Sequence, residues 1–109
     1  MNYFDENKRN SFKEITENPI VLDFSECKYL GDIHNILKSK FGLPEYYGEN
    51  WSALWDCLHG LFAGRGEYTV KIYGLSSLDK DLQNCCTAMT EIFDEVHTDT
   101  PNVIFKIIN

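Results

Sequence analysis

The order of three segments decides the fold: Tyr68-Thr69-Val70-Lys71-Ile72-Tyr73, a long stretch from about Leu78 to Val96, and Asn102-Val103-Ile104-Phe105-Lys106-Ile107-Ile108. The first alternates apolar and polar residues and reads as a strand, with Gly64-Arg65-Gly66 as the turn before it. In the second, Leu82, Met89, Ile92, Phe93 and Val96 keep helical spacing, and Thr98 to Pro101 ends the pattern. The third is a short apolar strand. Strands joined by a long helix pair in parallel, because parallel pairing requires a crossover of a dozen or more residues, and such crossovers are right-handed.

Toward the N-terminus the pattern repeats. Ile20-Val21-Leu22-Asp23-Phe24 is rich in branched residues and reads as a strand covered on both faces. A helix follows: Asp32 is the expected cap, Ile33, Ile36, Leu37 and Phe41 share one face, and Gly42 stands where a helix end needs a left-handed residue. Leu43-Pro44-Glu45-Tyr46-Tyr47-Gly48 is a loop by its Pro and Gly, and Asn50 caps a second helix running to about Gly60. On that helix Trp51, Leu54, Trp55 and Leu58 form one stripe, while Ser52, Asp56 and His59 fall on another flank that faces outward. The fold class is therefore α/β, a small three-stranded parallel sheet with helices packed on it. Residues 1–19 read as a polar extension, where Ser11 and Glu14 have capping-box spacing and predict a short helix near 12–17; residues 20–109 form the domain.

A chain of 109 residues with 43% hydrophobic and 14% aromatic residues suits one folded domain. Its formal charge of −7 disfavours nucleic acid and anionic membranes, and makes a basic partner the natural complement. The charge is concentrated. Residues 41–64 contain Glu45, Glu49 and Asp56 but no Lys or Arg, and residues 81–105 contain Asp81, Glu91, Asp94, Glu95 and Asp99, again without Lys or Arg. The N-terminus MNYFDENKRNSF has no apolar core, so the expected compartment is the reducing cytosol, with Cys27, Cys57, Cys85 and Cys86 as thiols. No apolar run approaches the ~20 residues that cross a membrane.

The chemistry-bearing residues point away from catalysis. His34, His59 and His97 are scattered and no Cys-x-x-Cys pair exists, so no metal is expected. Cys57 and His59, two helical positions apart, point about 200° away from each other, which a thiolate-imidazole pair cannot use. Gly64-Arg65-Gly66 lacks the rest of a dinucleotide motif, so no cofactor is expected. Asp56 and His59 have i,i+3 spacing and are read as a surface pair rather than an acid-base pair. Tyr46 and Tyr47 sit in acidic surroundings and suit protein contact better than base stacking. Trp51 and Trp55 are core residues by default, either able to reach the rim. These features describe an acidic α/β binding module.

At Leu43-Pro44-Glu45-Tyr46-Tyr47-Gly48-Glu49-Asn50 and Ala53-Leu54-Trp55-Asp56-Cys57-Leu58 the sequence resembles the barstar family of intracellular ribonuclease inhibitors, and the order of elements is similar over residues 20–109. Residues 1–19 have no counterpart. The resemblance implies a non-enzymatic protein, monomeric when free and cytoplasmic, whose acidic loop and helix plug the active site of a basic, extracellular-type, guanyl-specific ribonuclease. It implies that Asp56 is the central helix aspartate, Tyr46 the tyrosine packed over the partner's active-site histidine, Trp55 the neighbouring tryptophan and Glu95 the glutamate of the last helix. Gly60 also matches, and His59 falls where the family can have a small polar contact; Tyr47, Asn50 and Ser52 complete the expected partner-binding set. Two positions depart: Ser52 stands where the family has a second helix aspartate, and Leu61 where it has a tryptophan. The alternatives are an immunity protein of the same fold against another nuclease toxin, and a small enzyme using Asp56, His59 and Cys57.

Overall fold

The computed structural model describes residues 15, 17–45, 47–63 and 66–108. Its strands are β1 (Ile20–Asp23), β2 (Tyr68–Tyr73) and β3 (Val103–Ile108); its helices are α1 (Leu30–Phe41), α2 (Trp51–Phe62) and α3 (Lys80–Asp99), with a 3-10 turn at Leu75–Ser77. The strands form one sheet in the order β1-β2-β3, and both pairings are parallel. The expected α/β class and parallel sheet are thus what the chain adopts. α1, the loop after it and α2 make the first crossover, and α3 makes the second.

The core lies against one face of the sheet. Ile20 and Leu22 of β1, Val70 and Ile72 of β2 and Val103 of β3 are buried against Leu37 and Phe41 of α1, Leu54, Leu58 and Phe62 of α2, and Met89, Phe93 and Val96 of α3. Phe41 meets Phe62 edge-on at 5.9 Å and Phe93 at 6.4 Å, so one ring joins all three helices. Phe93 stacks on Phe105 of β3 at 4.5 Å. Such burial is the main stabilising term, and truncating a ring like that of Phe41 to Ala would cost about 3–5 kcal/mol.

Several boundaries differ from the sequence expectation. β1 is not covered on both faces: it alternates, with Ile20 and Leu22 buried, Val21 half-buried and Asp23 exposed. The register sets Val21, Lys71 and Lys106 in one row of the opposite sheet face, where all three keep some exposure. Asp32 is not the cap of α1. Tyr29 holds the capping position, and the Asp32 carboxylate reaches back from the first turn to accept from the backbone N–H of Lys28 and of Tyr29, both at 3.0 Å. α2 runs through Gly60 to Phe62, because Leu61 and Phe62 are buried and continue its apolar stripe. α3 extends past Val96 to Asp99. The short helix expected near residues 12–17 lies for the most part outside the described residues. Among the described residues no helix is long and apolar enough to cross a membrane.

Candidate partner-binding face

The loop between α1 and α2 is fixed from both ends. Gly42 ends α1 in the left-handed region at φ 64°, which a side chain would strain, and the Leu43 N–H donates to the Lys38 carbonyl at 2.9 Å. A turn follows in which the Tyr47 N–H donates to the Pro44 carbonyl at 2.9 Å. Asn50 caps α2 as expected, its Oδ1 accepting from the Ala53 N–H at 2.8 Å while its Nδ2 donates to the Gly48 carbonyl at 3.2 Å. The expected contact residue Asn50 therefore also builds the junction. Tyr46 lies outside the described residues.

Tyr47 corrects an expectation. Expected as a surface contact, it is only 5% exposed. Its hydroxyl shares a 2.6 Å hydrogen bond with His34 Nδ1 of α1, and the His34 ring lies 4.7 Å from that of Trp51. Burial holds the His34 pKa below its usual value, against an opposing pull from the Glu49 charge, and burial pushes the Tyr47 phenol well up. Both groups are thus neutral at physiological pH, and the loop is pinned by an uncharged buried pair. Trp51, half-buried, belongs to this inner cluster.

The outer flank of α2 is different in kind. Ser52, Asp56 and Gly60, spaced i, i+4 and i+8, are exposed along one line, and a Cβ added at Gly60 would meet nothing within 4 Å. The Asp56 carboxylate makes no hydrogen bond or ion pair among the described residues. Beside it Trp55, which reaches the rim, is 41% exposed, and its Nε1–H donates to Glu95 Oε2 of α3 at 2.8 Å. His59 does not pair with Asp56. Its Nε2 lies 2.9 Å from Asp99 Oδ2 on α3, its Nδ1 lies 2.8 Å from the Trp55 carbonyl oxygen, and its ring covers the indole at 4.0 Å. Cys57 turns into the core, away from His59, and Leu61 is buried.

A hollow of about 420 Å³ separates the helices, with Ser52, Trp55 and Asp56 on one wall and Ala88, Glu91 and Glu95 on the other. Past Trp55 a second hollow of about 430 Å³ is bounded by Asp94, Glu95, Thr98 and Asp99. Spacing alone does not single out Glu91, Asp94 and Asp99, although they belong to the stretch without Lys or Arg; only the packing of α3 against α2 brings them here. Among the described residues that line these hollows, the face combines a half-exposed aromatic plane with several carboxylates and no Lys or Arg. Chemically it suits pairing with guanidinium or ammonium groups. Among the described residues no three His, Cys, Asp or Glu side chains are arranged to hold a metal.

Residues 18–108 match the family described as Barstar (barnase inhibitor). The chain is also similar to the protein named "Putative ribonuclease inhibitor YrdF" of Bacillus subtilis (strain 168), at 44% identity over 41 residues. That match covers 38% of this chain and 45% of the relative, so the chain aligns with less than half of its length.

Proposed function

The chain belongs to the barstar family, and we propose that it inhibits a basic ribonuclease by seating the outer flank of α2, with the preceding loop, over the enzyme's anion-binding active site. The observation that carries this reading is the Asp56 carboxylate: exposed, without a partner among the described residues, and held on a capped helix beside the half-exposed Trp55. Such a charge is already oriented for cations that would otherwise hold an RNA phosphate, so little ordering cost attends binding. Tyr46, Asn50, Ser52, Trp55, His59, Gly60 and Glu95 complete the proposed contact set, and the open space at Gly60 lets a partner approach the helix backbone. Tyr47 acts from beneath, by holding the loop. In this reading the protein works in the cytosol as a monomer, without cofactor or chemistry of its own.

Titrating the purified protein against barnase while following RNA hydrolysis tests the proposal. The expected result is stoichiometric loss of hydrolysis with no RNA turnover by the protein alone. Hydrolysis unaffected by excess protein would exclude barnase as the target, and turnover by the protein itself would overturn the inhibitor reading.

A second reading, an immunity protein of the same fold against another nuclease toxin, is favoured by Ser52. This exposed position lacks the second aspartate that the family resemblance implies, so it suits a partner with fewer cations. Leu61 is buried at 2% exposure and offers no aromatic contact. Tighter inhibition of a non-guanyl nuclease than of barnase would select this reading.

A further inference from the structure

His59 lies between two groups that only accept hydrogen bonds. The Trp55 carbonyl oxygen is 2.8 Å from Nδ1 and the Asp99 carboxylate is 2.9 Å from Nε2. A carbonyl oxygen and a carboxylate thus flank the ring, so an N–H on either ring nitrogen has an acceptor within hydrogen-bond distance. The array continues past it. The ring lies on the Trp55 indole at 4.0 Å with a 35° tilt, and the indole Nε1–H donates to Glu95 at 2.8 Å. Two carboxylates of α3, Asp99 and Glu95, therefore grip the same aromatic unit of α2 from its two ends. His59 keeps 19% of its side-chain exposure and Asp99 keeps 59%, so Asp99 stands at the rim.

We propose that Asp99 is a positioning residue of this face: acting through His59, it fixes the orientation of the Trp55 indole and of the Glu95 carboxylate bonded to it. The inference rests on reading the face as partner-binding, yet the array can be examined without a partner. An exposed side-chain pair of this kind contributes little to folding, so stability is a poor gauge of this role. The carboxylate that meets the ring is that of Asp99, and the hollow beside Trp55 is bounded also by Asp94 and Glu95 of α3.

The test combines nuclear magnetic resonance of the free protein with a double-mutant cycle against barnase. In the free protein, Asp99→Ala is expected to shift the Trp55 indole N–H resonance and to change the nitrogen shifts of His59, whereas Asp99→Asn, which keeps an acceptor oxygen, leaves the indole close to its original position. Against barnase, Asp99→Ala is expected to weaken binding roughly two- to fivefold, the span of an exposed charge pair. The same substitution in a His59→Ala background should add nothing. An equal loss in both backgrounds means that Asp99 meets the partner directly, and overturns the proposal. An unmoved indole resonance in Asp99→Ala overturns it as well. Should wild-type protein fail to bind barnase, the functional reading fails for that enzyme, and the resonance shifts alone uphold or reject the positioning role.

Discussion

Two clusters in this molecule pair a histidine with a tryptophan and a hydrogen-bonding partner, and they behave as opposites. In the inner one, His34 and Tyr47 are buried beneath the half-buried Trp51, and the histidine faces a neutral phenol. The outer one, His59 with Trp55, lies at the surface and faces carboxylates of the neighbouring helix. The difference teaches that burial, not residue type, decides the role. Charging the inner histidine would place an unpaired cation in a dry pocket, whereas the outer one sits among acids and solvent.

The largest expected effect belongs to the outer surface. Asp56→Ala should weaken partner binding by about 3–5 kcal/mol, mostly through faster dissociation, because the partner's cations are left desolvated and unpaired. Urea unfolding of the same variant should change by no more than about 0.5 kcal/mol. Rate constants and unfolding curves measured side by side check the contrast, which would collapse if stability fell and affinity did not. For the inner cluster the expectation is reversed. Tyr47→Phe removes the partner of a buried nitrogen and should cost about 1–3 kcal/mol of stability. A full loss of binding in a Tyr47→Phe protein of unchanged stability would show that this hydroxyl meets the partner after all.

The pH dependence sharpens the same comparison. Burial depresses the pKa of His34 below its ordinary value of 6.5, so the unfolded chain takes up the proton first. The stability contributed by the neutral ring is therefore fully present above 6.5 and is lost as pH falls toward the folded-state value. Denaturation midpoints across this range should decline on acidification, and His34→Gln should flatten the decline. The smallest effect is expected at Glu95, nearer the rim: Glu95→Ala should slow association mildly, by less than about 1 kcal/mol in affinity. Stopped-flow association rates at low and high salt check it, and a loss exceeding that of Asp56→Ala would move the centre of the interface onto α3.

Much of the architecture is legible in the sequence because apolar spacing is a local signal. The strand at Tyr68–Tyr73, the left-handed Gly42 and the Asn50 cap each depend on residues within a few positions of one another. What stays hidden is set by distant neighbours. His59 pairs with a residue 40 positions away rather than with Asp56 on its own helix, and that choice follows from how α3 packs against α2. Tyr47 points inward because His34 of α1 offers it a buried partner, which the acidic composition of the loop gives no means to foresee. Asp32 reads as a cap because capping residues and first-turn acids have the same composition; only the backbone shows which of the two roles the carboxylate fills.

Among the described residues, the strand order leaves β1 and β3 without a neighbouring strand on their outer sides. An unpaired strand edge is a template onto which another copy of the same chain can add, and β3 presents Ile104 and Ile107 at 44% and 52% exposure. Lys106, exposed on the same sheet face as Ile104, places there a charge that a stacked copy would have to strip of water or set against its own equivalent. A charge on an open strand edge is one of the features that disfavour such addition.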